Sequence, residues 1–436
     1  MASGQTTGEV ISFTGLLRSN RNYRFTWIGQ VVSEVGDNYN NVAVFALAMA
    51  NTGSGLVVAG ILIARAIPMM LAGPLAGVLL DRMDRRKIMI ASDLVRAVVA
   101  VAFVLGIPAG RTWLLYLLSA LLMFASPFFS AGRSAILPDI ATEGELHTAN
   151  SLTQMTRWTA QTVGSFLGGA WIAGFGYEVA FLLNASSFLL SAWCIWNLRL
   201  PGGPAPTRSS FAAVKPWRDY SAGLRYMRAT PLIFGIALIS IGWATGGGAA
   251  QILFSLFGET VFQRGPAGIG IIWGMAGVGL VAGALVAHRM APHLNYESYK
   301  RTISIAYLIH GGSYVLFALA PTFAGALLWI AMSRTAMAIS NVLNTSQLLR
   351  HVSNEYRGRV FATIESWSWT TMLVSMALAG VASEYVSPRV IGVWAGVFSS
   401  TTAVWWAWAN WSGKLPEPAL EGVDPDTVEV HGEQGV

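Results

Sequence analysis

Cysteine is almost missing: Cys194 stands alone in 436 residues. That excludes a disulfide-stapled secreted scaffold and any thiolate metal cluster. Charge is equally scarce, with Lys, Arg, Asp and Glu making up 11% of the chain against 54% hydrophobic residues. The 28 basic and 22 acidic side chains cannot coat a soluble protein of this length. The apolar content is too high for a disordered chain. No Walker A lysine motif occurs, which argues against an ATP-driven pump, and no thiol or histidine cluster has metal-site spacing. The first 20 residues are mixed and polar, without the apolar core and small-residue cleavage site of a signal peptide. The first long apolar segment therefore reads as a retained membrane span.

What fills the chain instead is apolar length. Twelve stretches could each cross a hydrocarbon core about 30 Å thick. They are 24–50, 56–80, 88–107, 112–132, 150–174 and 178–198, then 231–257, 267–287, 300–320, 323–347, 359–382 and 390–412. Each is expected to be a helix, because lipid offers an open backbone no hydrogen-bond partner and the runs are too long and too continuously apolar for barrel strands. The expected fold is an all-α membrane protein with twelve transmembrane helices. Between the sixth and seventh stretches, the breaker-rich Arg199-Leu200-Pro201-Gly202-Gly203-Pro204-Ala205-Pro206 marks a boundary between halves. The expected organisation is a six-helix bundle over 1–198, a cytoplasmic linker over 199–230, a second six-helix bundle over 231–413 and an acidic, disordered tail over 414–436. Within the linker, Trp217, Tyr220, Leu224 and Met227 lie on one side of residues 217–228, with Arg218, Arg225 and Arg228 among them. This is the pattern of an amphipathic helix lying on the membrane surface.

The basic residues are unevenly placed. The odd-numbered links between spans hold only Arg111, Arg264 and Arg389, whereas the even-numbered links hold Arg82, Arg85, Arg86 and Lys87, then Arg133, the basic linker, Arg289, and Arg350, Arg357 and Arg359. The positive-inside rule puts the even links and both termini in the cytoplasm. The halves also echo one another: Leu80-Asp81-Arg82-Met83 corresponds to Ala287-His288-Arg289-Met290, and Leu137 to Ala149 aligns loosely with Leu349 to Phe361. Internal repeats of this kind are the trace of many transporter folds.

Polar residues inside the spans mark the candidate sites. Gln30, Glu34, Asp37, Asn38, Asn40 and Asn41 project from the first span within an arc of about 160°. That face must look into the bundle, since a charged side chain at the bilayer centre costs at least about 2.5–3.5 kcal/mol. Arg65 in the second span sits at a similar depth, near Pro68, so Asp37 or Glu34 is expected close to it. Two readings stand side by side for these acids: a titratable group whose protonation is tied to substrate binding, or a structural ion pair fixing helix packing. In the second half, Arg334, Asn341 and Asn344 share a face of span ten, and Glu365, Ser368 and Met372 share a face of span eleven, Glu365 being nearer the cytoplasmic end. Gln154, Arg157 and Gln161 line one face of span five, and either a cavity or helix-to-helix hydrogen bonding would use them. His310 reads as a packed, hydrogen-bonded imidazole. Gly268, Gly270 and Gly274, like Gly277, Gly279 and Gly283, imitate nucleotide loops but lie inside an apolar span, where close helix packing is expected. Gly246-Gly247-Gly248, followed by Gln251, could be a flexible, cavity-lining section. Trp405, Trp406, Trp408 and Trp411 read as an interfacial belt.

The most specific motif is Gly77-Val78-Leu79-Leu80-Asp81-Arg82-Met83-Asp84-Arg85-Arg86-Lys87. It resembles the cytoplasmic signature of the major facilitator superfamily, with Asp84 where a second glycine is common. Gly36-Asp37, Thr52-Gly53-Ser54, Arg65-Ala66-Ile67-Pro68, Arg133-Ser134-Ala135-Ile136-Leu137-Pro138-Asp139, Ala149-Asn150-Ser151-Leu152 and Arg357-Gly358-Arg359-Val360-Phe361-Ala362 resemble the branch containing macrolide-efflux proteins and enterobactin exporters. The resemblance spans residues 15 to 412, more strongly in the first half. It implies two six-helix bundles around a central cavity, rocking in alternating access and driven in many members by proton exchange. It further implies that Gly77, Asp81, Arg82, Arg85 and Arg86 belong to an intracellular latch between the halves. Asp81 would face the positive N-terminal end of span eleven, near Arg357 and Arg359, and stabilise the outward-open state.

The sequence thus points to a secondary active exporter of amphipathic drugs or siderophore-like small molecules in the cell membrane, exchanging them for protons. Uptake or facilitated diffusion, and a membrane sensor or scaffold, are the alternatives, and an enzyme is disfavoured because no nucleophile, base and orienting group recur at suitable spacing. No cofactor, metal or nucleic-acid partner is expected, and the chain is read as a monomer. The net charge of +6 hides two opposed parts: after Lys414 come six acidic residues and no Lys or Arg. The rest of the chain is correspondingly more basic, and most of that charge serves topology.

Overall fold

The computed structural model describes residues 12–199 and 216–418. Residues 200–206 of the boundary and 419–436 of the acidic tail lie outside the described residues, as do the side chains of Trp217 and Arg218. No strand occurs among the described residues. The helices are α1 (Phe13–Ser19), α2 (Arg21–Thr52), α3 (Gly55–Arg82), α4 (Arg85–Ala102), α5 (Thr112–Ile140), α6 (Glu143–Trp196), α7 (Pro216–Ala229), α8 (Pro231–Leu256), α9 (Gly265–Met290), α10 (Tyr296–Leu319), α11 (Phe323–His351), α12 (Asn354–Ala382) and α13 (Pro388–Trp411).

Nine helices among the described residues are long and apolar enough to cross a membrane. Two others have the length without the uniform apolarity. The 32-residue α2 carries the polar face around Glu34 and Asp37, and the 29-residue α12 carries Glu365 among serines and threonines. The 54 residues of α6 would extend about 80 Å if straight, far beyond the hydrocarbon thickness. Gly176 breaks that run, holding φ 83° and ψ 175°, a conformation open to glycine and strained for other residues.

Local chemistry sets the helix ends. Gly53, at φ 64°, closes α2 in the left-handed conformation, and the next residue, Ser54, opens α3 by accepting a hydrogen bond from Val57 N–H at 3.3 Å. Asp84 opens α4 in the same way, its carboxylate accepting from Arg86 N–H at 2.9 Å and Lys87 N–H at 3.4 Å. Such a cap contributes about 1 kcal/mol, which is a physical reason for an acid at this position.

The described residues before Ser210 form one compact unit with Ile252–Gly277 and Ala379–Pro388; Phe211–Gln251, Val278–Leu378 and the chain from Arg389 form the other. In the first unit α2 lies along α6 on small residues: a Cβ on Gly36 would sit 2.7 Å from Asn184 Oδ1. The start of α9 approaches α6 as closely, since a Cβ on Gly270 would lie 2.7 Å from Gly169 Cα. The glycine pattern is therefore one of helix packing.

The second unit corrects three expectations. The apolar face of α7 is covered by protein, not left to lipid headgroups: Met227 is fully buried beside Leu232, Val360 and Ile364, and Tyr220 accepts a hydrogen bond from Trp367 Nε1 at 2.7 Å. Trp406 is no belt residue. It is wholly buried, donates from Nε1 to Lys300 O at 3.1 Å and meets Tyr299 edge-on, while Trp411 is 94% exposed. Gly246–Gly248 form no free section either, because a Cβ on Gly248 would lie 2.7 Å from Ser375 Cβ on α12. Ser375 ties the two helices together there: its hydroxyl accepts from Ala249 N–H at 3.0 Å and donates to Thr245 O at 2.5 Å.

Past α13 the chain is not free at once. Leu415 is buried in the second unit's core, and its carbonyl accepts from Lys300 Nζ at 3.2 Å and Tyr296 OH at 3.3 Å.

Candidate functional site

The polar face of α2 divides into two clusters. In the first, Gln30 is buried and its amide donates to Glu34 Oε1 and to Thr153 O on α6, both at 2.9 Å. Glu34 also pairs with Arg133 Nη1 at 3.4 Å, and Arg157 acts on both charges from α6. Asn38 donates back to Glu34 O at 2.8 Å. Arg133 lies in no link: α5 continues helical through Pro138 to Ile140 and presents Arg133 to α2. Both side chains of the pair are about one-fifth exposed.

The second cluster surrounds Asp37. The expected contact with Arg65 is electrostatic, not a direct ion pair: Arg65 acts on Asp37, yet its guanidinium donates to Asn41 Oδ1 and lies 5.6 Å from the Phe45 ring centre. Asn41 and Phe45, one and two turns further along α2, draw the long side chain away from the carboxylate. Asp37 Oδ1 is buried without a hydrogen-bond partner, as are both amide atoms of Asn40. The charge acting most strongly on Asp37 is Arg96 of α4, which is bonded to Asp93. Sequence reasoning passed over Asp93 and Arg96, although two opposite charges three residues apart inside an apolar span were a legible signal.

Arg157 aside, the other sequence candidates make no contact with these clusters that the structure describes. Gln154 and Arg157 are exposed on α6, and Gln161 is half-buried. In the second unit Arg334 is buried and donates to Met337 Sδ at 3.4 Å. Asn344 is buried and accepts from Tyr299 OH at 2.8 Å, whereas Asn341 and Glu365 are exposed and Gln251 is half-buried. His310 is packed as expected: Ser333 Oγ lies 2.8 Å from its Nδ1 and donates to its carbonyl at 3.0 Å.

The signature after α3 joins helices of the first unit. Arg85 donates to Ala135 O at 2.9 Å and pairs with Asp139 at 3.2 Å, tying two sequence motifs together. Arg86 donates to Trp196 O, with the guanidinium 5.5 Å from that indole. Asp81 is half-buried in the last turn of α3, Arg82 is exposed, and a side chain on Gly77 would meet open space. In the second unit Arg357 caps α11, donating to Leu349 O at 2.6 Å and Val352 O at 3.0 Å. Arg359 lies 5.2 Å from the Tyr356 ring centre, and that ring stacks on Tyr226.

Among the described residues no group of three or more His, Cys, Asp or Glu could hold a metal ion. The arrangement offers two acids on one helix, each under the influence of a guanidinium from a different neighbouring helix.

Comparison with known proteins bears on what that arrangement serves. A sequence model described as Major Facilitator Superfamily matches residues 26–369. The enterobactin exporter EntS of Shigella boydii serotype 4 is 24% identical over 385 residues, covering 86% of this chain and 88% of that protein. The multidrug efflux pump Tap of Mycolicibacterium fortuitum is 26% identical over 353 residues, covering 79% and 85%. In structure, a bacterial homologue of the iron transporter ferroportin in an inward-facing state superposes with a TM-score of 0.69 at 14% identity, covering 89% of this chain and 98% of that one.

Proposed function

The chain belongs to the Major Facilitator Superfamily, a family of transporters and not enzymes, and from that premise we propose that this multi-pass membrane protein is a proton-coupled exporter. Its cargo on this reading is an amphipathic drug or siderophore-like small molecule, moved by alternating access. Exporter names among the relatives support the direction. One observation carries the coupling: Asp37 has a buried, unpartnered carboxylate oxygen on a membrane-length helix, with Arg65 and Arg96 acting on it from two neighbouring helices. A carboxyl kept inside a membrane-spanning segment is costly, which favours a role beyond packing.

On the same reading α2, both arms of α6 and α12 join the more apolar helices to make twelve crossings in two bundles of six. Both termini lie in the cytoplasm of a bacterial cell, and the protein works as a monomer in its inner membrane. Gly77, Asp81, Arg82, Arg85, Arg86, Arg357 and Arg359 belong to the cytoplasmic latch. Glu34 and Glu365 are the further acids of the coupling path. Gln30, Asn38, Asn41, Gln154, Arg157, Gln161, Gln251, Arg334, Asn341 and Asn344 are the cavity candidates.

The test is transport in inverted vesicles under an imposed pH gradient, with a panel of amphipathic drugs and siderophores. Wild-type vesicles should accumulate at least one compound and release protons as they do so. Asp37→Asn should reduce gradient-driven accumulation by about tenfold or more while leaving the protein folded. An Asp37→Asn variant with full proton-coupled transport removes Asp37 from the coupling role. Transport without proton movement favours facilitated diffusion, and no transport across the panel favours a sensor or scaffold.

A further inference from the structure

Two arginines of the first unit end on the same stretch of backbone. Arg21 of α2 donates from Nη1 to Asn197 O at 3.3 Å, and Arg86 of α4 donates to the neighbouring Trp196 O. Both acceptors lie at the C-terminal end of α6, where carbonyls lack partners within the helix. Each guanidinium also lies against an aromatic ring, Arg21 4.9 Å from the centre of Phe25 and Arg86 5.5 Å from that of Trp196. Phe25 in turn meets Trp193 edge-on at 5.8 Å. Carbonyl and ring hold each planar fork in place and use only part of it, since a guanidinium carries five N–H donors.

Three acids near these helix ends are engaged elsewhere. Asp84 caps α4, Asp139 pairs with Arg85, and Glu145 accepts from Thr142 N–H at 3.0 Å and from Asn20 Nδ2 at 3.1 Å. Among the described residues neither Arg21 nor Arg86 pairs with a carboxylate. Two more cations stand beside them: Lys87 is exposed, and so is Arg199, whose backbone exchanges two hydrogen bonds with the Asn22 amide at 3.0 and 2.8 Å. Arg21 opens α2 and Arg86 is the second residue of α4, so two positive helix ends add to the same field. Next to this charge the surface turns apolar. Trp193 and Trp196 are 56% and 66% exposed, and the exposed Leu189 and Leu182 continue their face of α6 at helical spacing.

We propose that the end of α6 is a binding site for an anionic membrane lipid, its phosphodiester held by Arg21 and Arg86 and its acyl chains laid along Trp196, Trp193 and Leu189. Cations at the end of an aromatic and leucine strip match a molecule with an anionic head and hydrocarbon tails. The spare edges of two guanidiniums suit phosphate oxygens, which accept such donors in pairs. A zwitterionic lipid brings an ammonium of its own into a cluster that is already cationic, so a net anion is preferred. The bound headgroup ties the first turns of α2 and α4 to the point where the chain leaves α6. The site needs neither cargo nor proton. Arg86 has a place in the latch, so the decisive substitution falls on Arg21.

Native mass spectrometry of the full-length protein, washed of native lipid in detergent and titrated with dioleoyl phosphatidylglycerol or dioleoyl phosphatidylcholine, reads the site directly. Wild type should bind the glycerol lipid about 25-fold more tightly than the choline lipid, each arginine supplying about fivefold. Arg21→Gln should lower that preference about fivefold, and Arg21→Gln with Arg86→Gln should abolish it. Gln still offers a donor to Asn197 O, so the single variant decides the matter if the double one does not fold. Arg18→Gln removes the same charge from the exposed end of α1 and should change nothing. If it weakens binding as much as Arg21→Gln does, the attraction is diffuse and the site is overturned. Equal affinity of wild type for the two lipids overturns it as well. Trp196→Leu should weaken the glycerol lipid, and millimolar inorganic phosphate should not displace it. Displacement by phosphate, with no effect of Trp196→Leu, would make this a site for free phosphate and overturn the lipid as its occupant.

Discussion

At the residue scale, scarcity made the acids visible and hid their partners. Glu34 and Asp37 stood out because carboxylates are rare in apolar spans. What each one meets depends on how far α3, α4 and α5 are rotated, and a single sequence does not fix that rotation. Arg65 was read as a partner from depth alone, yet its side chain ends on Asn41 and Phe45. The apolar stretch 112–132 ends just before Arg133 and so puts it in a link, whereas α5 runs on to Ile140. The Glu34–Arg133 pair yields a test. Removing one partner strands the other, and since neither is fully buried the cost is less than for a closed pair, so Arg133→Ala should destabilise the protein by about 1–3 kcal/mol. Glu34→Gln combined with Arg133→Gln should recover most of that loss. Thermal unfolding followed by tryptophan fluorescence measures both, and an Arg133→Ala protein as stable as wild type would show a pair wholly screened by solvent.

At the element scale the reading from sequence was closer, because apolar length and caps are local properties. The expected span 323–347 is contained in α11, and 359–382 ends with α12 at Ala382. The errors arose where tertiary packing decided, as in the protein-covered face of α7 and the buried ring of Trp406. Two adjacent glycines on α10 show how finely packing decides. A Cβ on Gly311 would lie 2.8 Å from Gly396 O on α13, whereas one on Gly312 would meet nothing within 4 Å. Gly311→Ala must push the two helices apart and should cost about 1–3 kcal/mol. Gly312→Ala removes only unfolded-state freedom and should be neutral or stabilising by about 0.5–1 kcal/mol. Parallel unfolding of the two variants in one detergent measures the contrast, and equal stabilities would mean that α10 and α13 have slack at that crossing.

At the scale of the whole molecule, the charges that looked like a modest surplus act through their positions. Arg82, Arg85, Arg86 and Lys87 crowd the passage from α3 to α4, while the passage from α12 to α13 holds Glu384 before Arg389. In a bilayer that asymmetry orients the chain, since basic links resist crossing. The fold then adds uses of its own. Arg85 ties α4 to α5 through Asp139, and Arg86 holds the end of α6. Two substitutions separate orientation from these local bonds, because Met83 is 54% and Tyr385 83% exposed and neither carries charge. With Cys194 buried, a membrane-impermeant maleimide applied to intact cells should label Tyr385→Cys within minutes and Met83→Cys only after permeabilisation. The opposite pattern would invert the protein. The collar of arginines would then face outward, and the latch reading would fail with it. Equal labelling of both in intact cells would instead mean that the chain inserts in both orientations.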